Sequence, residues 1–480
     1  MMEIAYQPRI DSEIESLVER INPPRVCIDN DTDPECTLVK VDSANKYGIL
    51  LDMVQVLADL DLVISKSYIS SDGEWFMDVF HVTDQLGNKL TDRSLILYIQ
   101  QAICSSRTGG ITKEMQSNLK REVQQRHVST EHTAFEITGI DRPGLLSEIS
   151  AVLSDIGCHV TAAVAWTHHE RAAMVIYLED GFHGGPIIDP IRKAQVKDHL
   201  DTVMEAHHRV GDESRVVVSV VEAKGGPVGW AHTERRLHEL MFAEGDFENC
   251  FGCDCFIGDR CDALWRGRCE RIHVAIEACN GYSMVNVKCR DRPKLLFDTV
   301  CALKELQFVV FHAVAGAKGS TAEQEYFIRK KNGCTLETEG QRERLRHCLV
   351  AAIARRASSG LKLEVRTENK MGLLSDVTRV VRENGLSITR AEMSTQGDLA
   401  VGSFYVTDVN GGETDATASA VEAVVRELGG AVVTAVKAFG MVSTRLGSSS
   451  VDVERDRAKL SIGRLVWSKL ERLSTSIRSL

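Results

Sequence analysis

One stretch of sequence occurs four times along the chain. Thr37–Asp61 reads TLVKVDSANKYGILLDMVQVLADLD and Thr133–Gly157 reads TAFEITGIDRPGLLSEISAVLSDIG. Ser283–Gln307 reads SMVNVKCRDRPKLLFDTVCALKELQ and Leu361–Gly385 reads LKLEVRTENKMGLLSDVTRVVRENG. Such a repeat constrains the fold first, because each copy is one small unit that cannot bury its apolar face alone. Each copy opens with alternating apolar and polar residues. In the second, Phe135, Ile137 and Gly139 fall on one side of a strand and Glu136 and Thr138 on the other. A turn follows (NKYG, DRPG, DRPK or NKMG), then a helix. The helix face is Leu145, Ile149, Val152, Leu153 and Ile156 in the second copy, and Leu373, Val377, Val380 and Val381 in the fourth. Gly157 and Gly385 stand where a helix ends on a left-handed residue. Asp141 and Asp291 are placed to cap the helix, and Pro143 and Pro293 suit its first turn. The acids Asp52, Glu148, Asp298 and Asp376 favour the positive end of its dipole.

Two β-rich runs follow each helix, as in Leu62–Ser70 and Trp75–Val82, then a second helical pattern near 191–206, 340–356 and 415–428. Closing strands are clear at 215–222 and 432–439. The expected class is α+β, built from ferredoxin-like β-α-β-β-α-β modules with antiparallel sheets and helices on one face. The boundaries are an N-terminal segment 1–34, module 1 at 35–112, a linker 113–131 and module 2 at 132–223. A Cys-rich linker 224–281, module 3 at 282–358, module 4 at 359–440 and a basic tail 441–480 complete the chain. Two places resist this grammar. The turns at 294 and 372 are only 78 positions apart, so Leu361–Arg366 goes to the fourth module and leaves the third short of a strand or paired across modules. The closing strand of the first module is weak, since 107–128 is polar. A half-covered sheet has a bare face and bare edges, so the modules should pack sheet to sheet or edge to edge.

Composition narrows the function. The net charge is -11, which argues against direct nucleic-acid binding. Met1–Pro8 shows neither the basic start nor the apolar run of a secretory signal, and no stretch approaches the ~20 apolar residues of a membrane span. The 14 Cys are therefore expected as reduced thiols in the cytoplasm or nucleus. Cys250 and Cys253 form a C-x-x-C, but no second pair follows among the six Cys of 250–279, so a linker with free thiols is favoured over zinc. His238-Glu239 opens an H-E-x-x pattern that fails at Phe242. No Walker loop and no G-x-S-x-G motif occurs. The sequence thus calls for no catalytic residue, no metal and no cofactor. From Arg455 onward the tail carries seven Arg/Lys against Asp456 and Glu471, with Leu460, Leu465, Val466, Trp467, Leu470 and Leu473 at helical spacing. It is a candidate for weak contact with a membrane surface or a partner.

The repeated turn carries the chemistry. A strand-to-helix turn leaves backbone N–H groups free for a carboxylate. Gly48, Gly144 and Gly372 let a ligand approach the backbone, while Asn45, Asp141, Asp291 and Asn369 can orient an ammonium or amide. Small ligands favour concave sites between domains. Together these point to a free amino acid held between modules.

D-R-P-G-L-L within this β-α-β-β-α-β grammar resembles the ACT domain, a regulatory amino-acid-binding module. Four copies without a catalytic domain resemble the plant ACT-domain-repeat (ACR) family. The likeness extends to NPPRVCIDN (22–30), ISSDGEWFMDVFHVTD (69–84), ERRLHELMF (234–242) and RDRPKLLFDTVCAL (290–303). The resemblance implies a sensor or regulator that is not an enzyme, acting on an unidentified protein partner and able to self-associate through its modules. It carries ligand contacts onto Asn45, Gly48, Ile49 and Leu50; onto Asp141, Pro143, Gly144, Leu145 and Leu146; and onto Asn369, Gly372 and Leu373. Lys294 replaces the glycine in the third copy, where the site is expected to be weak, altered or structural. Tyr47 and Met371 replace the proline in the first and fourth. The alternative is an interaction scaffold of ACT-like modules with no small-molecule ligand.

Overall fold

A computed structural model describes residues 25–45, 47–71, 75–105, 127–128, 132–206, 217–221, 228–248, 272–356, 361–396, 398–408, 415–428 and 432–437. The expectations for residues 1–24, for Cys250–Cys269 and for the basic tail lie outside the described residues.

The first copy begins earlier than its repeat. Strand β1 (Arg25–Asp29) pairs antiparallel with β2 (Thr37–Ala44), the first strand of the repeat. Helix α1 (Ile49–Asp59), β3 (Val63–Ser71), β4 (Trp75–Thr83) and α2 (Arg93–Ser105) follow. After the short strand β5 (His127–Val128) the second copy runs β6 (Thr133–Ile140), α3 (Leu145–Asp155), β7 (Cys158–His168), β8 (Arg171–Asp180), α4 (Pro190–Glu205) and β9 (Val217–Val221). Strand β10 (Val228–Gly229) pairs with β5 and leads into α5 (Trp230–Ala243). The third copy is β11 (His273–Cys279), β12 (Tyr282–Arg290), α6 (Leu295–Glu305), β13 (Phe308–Lys318), β14 (Thr321–Lys330) and α7 (Glu339–Arg356). The fourth is β15 (Leu361–Glu368), α8 (Leu373–Glu383), β16 (Leu386–Gln396), β17 (Leu399–Asp408), α9 (Asp415–Glu427) and β18 (Val432–Lys437).

The copies pair edge to edge, and alternately. One eight-stranded sheet has the order β1-β2-β4-β3-β13-β14-β12-β11, joining the first and third copies. The other, β18-β15-β17-β16-β7-β8-β6-β9, joins the second and fourth. The joins are antiparallel, centred on Tyr68 opposite Val314 and on Val164 opposite Glu392. This arrangement accounts for the two places that resist the sequence grammar. In copies two and four the outer strand (β9, β18) follows the second helix. In copies one and three the same place in the sheet is taken by a strand from upstream, β1 and β11. The third copy is therefore complete without Leu361–Arg366, which pairs with β17 and β18 in the fourth. Strand β11, begun at His273, lies within the stretch read as linker.

All four second strands carry a bulge at the same place: Ile64/Lys66, Val160/Ala162, Val310/His312 and Ile388/Arg390. A bulge adds one residue and resets which side chains face inward. The first sheet is apolar on its helix side, where Phe80, Val82, Val285 and Tyr326 meet Leu51, Leu57, Phe297 and Val300. Full burial of a side chain such as Leu51 stabilises by roughly 1.5–3 kcal/mol. The copy-two half of the second sheet is covered on both faces. Ala163, Ala165, Met174 and Ile176 face α3 and α8, while Val164, Trp166, Val175 and Tyr177 face Leu237, Leu240 and Met241 of α5. Hence β8, RAAMVIYLED, reads as an almost unbroken apolar run rather than an alternation.

Helix α5, read from sequence as a short piece in a linker, is a wedge between that second face and the helices of the first sheet. It leaves α6 covered all round, so that Leu295 through Leu303 are buried without exception, Asp298 included.

Candidate functional site

Each repeated helix starts from a left-handed residue. Gly144 has φ +85°, Gly48 +90°, Gly372 +76°, and Lys294 holds the same conformation at +61°. The glycines answer first to backbone geometry, since a left-handed residue with a Cβ is strained by about 1–2 kcal/mol. None of these helices has a side-chain cap, so Asp141 and Asp291 do not cap them. They lie three residues before the left-handed residue, and Pro143 and Pro293 precede the first helical turn rather than forming it. The arginine of D-R-P instead ties the turn to the second helix of its copy. Arg142 donates to the Val203 carbonyl (3.0 Å) and pairs with Glu148 (2.5 Å). Arg292 donates to the Ile353 carbonyl (2.9 Å) and pairs with Asp298 (2.7 Å).

Helices α3 and α8 meet across a pseudo-two-fold axis. The sixth residues of the two, Ser150 and Thr378, share a hydrogen bond of 2.8 Å. Each turn therefore faces the C-terminal end of the partner's helix. The turn of copy two faces Arg382, and the turn of copy four faces the equivalent Ser154. A cleft opens at the first of these. It is lined by Asp141, Arg142, Gly144, Leu145, Leu146 and Ser147 of the turn, and by Ala165, Thr167 and Met174 of the sheet. Thr378, Val381, Arg382, Leu386, Ile388, Thr389 and Arg390 come from copy four. The cleft is narrow because Arg382 lies across its mouth: a Cβ on Gly144 would sit 2.8 Å from Arg382 Cδ. Burial pushes the Asp141 carboxyl up to about 6, against the hydrogen bond from Thr167. The Thr389 carbonyl of copy four, 3.2 Å from the Thr167 hydroxyl, competes with Asp141 for its one proton at the cleft floor.

The other three turns are arranged differently. In copy one, Tyr47 donates to the Lys304 carbonyl at the end of α6 (2.7 Å), with the Lys331 ammonium 4.8 Å from its ring. Asn45 donates to Ser71 (2.8 Å). In copy three, Lys294 is not available to a ligand carboxylate, because Glu234 of α5 binds its ammonium at 3.0 Å. In copy four, Gly372 faces Ser154 Oγ, 2.9 Å from where a Cβ would lie, and Asn369 Oδ1 is buried without a hydrogen-bond partner. Of the sequence-derived positions, the structure gathers Asp141, Gly144, Leu145 and Leu146 into the cleft and leaves Pro143 out of its lining. Asn45, Gly48, Ile49 and Leu50 lie at the junction of copies one and three, and Asn369, Gly372 and Leu373 at the other end of the α3–α8 contact. Sequence reasoning missed the partner's contribution, above all Arg382 and Arg390. In sequence Arg382 looks like an ordinary cation favouring a helix C-terminus.

Behind the cleft lies a buried charged group. Arg390 pairs with Glu392, donates to the Arg356 carbonyl (3.2 Å) and lies 5.8 Å from the Trp166 ring. Arg356 binds Asp298 (2.8 Å) and Glu234 (2.7 Å). Arg355 binds Asp246 (2.5 Å) and donates to Nδ1 of His238 (3.0 Å), so His238 is neutral and gives its Nε2 proton to Asp298 (2.9 Å). Burial likewise favours the neutral imidazole. Burial works against the charge of Asp298, but Arg356 and Arg292 outweigh it and hold the carboxyl well below the usual range. Glu234 is held at about 2 in the same way, by Arg356 and Lys294 against burial.

Ferredoxin-like modules paired edge to edge, each repeated turn facing its partner's helix, define a protein of the ACT-repeat class. Residues 32–110 match the ACR family N-terminal ACT domain, and residues 362–426 match the ACT domain. The chain is 91% identical to the ACT domain-containing protein ACR1 of Arabidopsis thaliana over the full length of both. It is 46% identical to ACR3 of the same plant, over 88% of this chain and 89% of the relative. With ACR8 it shares 43% identity over 95% and 96% of the two chains. The chain belongs to the plant ACR family of ACT-domain-repeat proteins.

Proposed function

We propose that this chain is a non-catalytic amino-acid sensor, with its ligand in the cleft between copies two and four. The observation that carries this reading is the convergence there of three groups with separate tasks. The N–H groups at the start of α3 and the Arg382 guanidinium suit an α-carboxylate. The Asp141 carboxylate suits the α-ammonium. Val381, Leu386 and Ile388 suit a small apolar side chain. Arg382 is exposed and swings aside to admit the ligand, then closes on it. Because the two halves of the site come from different copies, bound ligand favours one packing of copies two and four. The shift is limited by the ligand's differential affinity for the two states. The output is an altered contact with a protein partner in the cytoplasm or nucleus.

The test is a thermal-shift and calorimetric screen against the twenty amino acids. A ligand at 100 times its Kd stabilises by about 2.7 kcal/mol. Arg382→Ala should weaken binding at least tenfold, and Gly144→Trp should abolish it. Gly48→Trp, at the first turn, should leave it intact. Absence of any shift in a folded sample would favour the scaffold reading.

A further inference from the structure

Away from the cleft, the loop between β1 and β2 brings together three groups that sequence spacing does not mark. The register of β2 with β4 sets Leu38 opposite His81. Cys36 is two residues before Leu38 and so emerges on the same side of the sheet. Asp33 closes the loop. Its Oδ1 accepts from the backbone N–H of Glu35 (2.8 Å) and of Cys36 (3.3 Å), which leaves Oδ2 free of backbone bonds. The ligand-type atoms of Asp33, Cys36 and His81 all lie within 4.8 Å of one another. Cys36 is buried, and His81 Nδ1 is buried with no hydrogen-bond partner. An imidazole nitrogen without a partner at such a place is a group held ready for something the protein does not itself supply.

We propose that Asp33, Cys36 and His81 form a transition-metal site of zinc type, with three protein ligands and a fourth position left to water. The donor set is one thiolate, one imidazole and one carboxylate, which suits Zn(II) far better than Mg(II) or Ca(II). The carboxylate is already oriented by its two backbone bonds, as a metal ligand usually is. Metal binding displaces the Cys36 thiol proton. Lys89 is the nearby cation. It is engaged with the backbone carbonyls of Asn30 and Asp33. The ion would fasten the β1–β2 loop to β4.

The test is a Co(II) and Zn(II) titration of the reduced full-length protein. Binding is read from the thiolate-to-cobalt charge-transfer band and from metal content after gel filtration. Wild type is compared with Cys36→Ala, His81→Asn and Asp33→Asn. The expected result is a loss of one metal equivalent and of its share of the band in the first two, and at least tenfold weaker binding in the third. Comparison with wild type separates this site from any metal held by the Cys-rich segment, which the variants leave intact. Cys36→Ala or His81→Asn protein that still melts cooperatively and binds as much metal as wild type overturns the proposal. So does a wild type that takes up none. If the first two variants fail to fold, Asp33→Asn decides alone: unchanged affinity overturns the site.

Discussion

Replacing Asp298 by Asn is the sharpest available perturbation of the interior. The change keeps the size of the side chain and removes its charge. In the native protein that carboxylate is fully buried and meets Arg356 at 2.8 Å, Arg292 at 2.7 Å and His238 at 2.9 Å. Without it Arg356 still has Glu234 (2.7 Å), but Arg292 keeps only carbonyls as partners. Breaking a buried ion pair from one side costs about 3–5 kcal/mol, because an uncompensated charge is left in the interior. The described elements belong to one compact unit spanning Met1–Gly440. At about 2.1 cal/mol/K of unfolding entropy per residue, a unit of that size should lose roughly 3–5 °C in Tm. The assays are thermal and urea unfolding at pH 7, with far-UV circular dichroism to show that the fold is kept. Adding Arg292→Met should recover part of the loss, since the two positions share one interaction and their effects do not add. The folded carboxyl is held below its unfolded value. Its contribution is therefore complete above about pH 4 and lost as pH falls through the folded value, so the variant's deficit should narrow only in strong acid. A loss under about 1 kcal/mol at pH 7 would refute the reasoning, because it would mean that water reaches and screens the group.

Two further predictions rest on other parts of the molecule. Asp141 must be ionised to hold an ammonium, and its folded value is raised to about 6, so amino-acid affinity should climb between pH 5 and pH 7. The same group favours the ligand-free fold at low pH and loses that contribution as pH rises through about 6; calorimetry of Asp141→Asn should show weaker binding with no climb. Deleting residues through Asp31 removes β1, bares the edge of β2 and uncovers the apolar patch beneath Val26 and Ile28. The truncated protein should melt lower and self-associate by light scattering, and a monomer of unchanged Tm would sink the claim that β1 completes the first copy.

What was legible in the sequence was what short-range rules encode. The strand, turn and first helix of each copy follow from periods of two and 3.6, and Gly157 and Gly385 do end their helices left-handed, at φ +72° each. The assignment of Leu361–Arg366 to the fourth copy followed from the repeat alone. Strands β1 and β11 were not legible, because a five- or seven-residue edge strand is fixed by its neighbour in space. His273 is exposed and Val274 buried there, but that alternation is too short to stand out. The first-turn acid was read by a local rule in all four copies. Asp52 meets Arg235 of α5 and remains partly exposed, while Asp298 is buried among His238 of α5, Arg356 of α7 and Arg292. Asp141 was read from sequence both as a helix cap and as a group to orient an ammonium, and the structure removes the cap. Its place beside Thr167, with Arg382 across the cleft mouth, depends on which copies pair, and nothing local encodes that.

That pairing has a consequence in time. Tyr68 meets Val314, and Val164 meets Glu392, so each join links residues about 230–250 positions apart. At the usual pace of synthesis, about 5–20 residues per second, strand β3 waits roughly 12–50 s on the ribosome before its neighbour exists. By then the second copy has also emerged, with an inner edge of the same geometry and the same bulge. The nascent chain thus holds two similar unpaired edges, β3 and β7, while neither proper mate has been made. Lys66 on the first edge and the bulge on each are what a chain would need to keep them from joining each other.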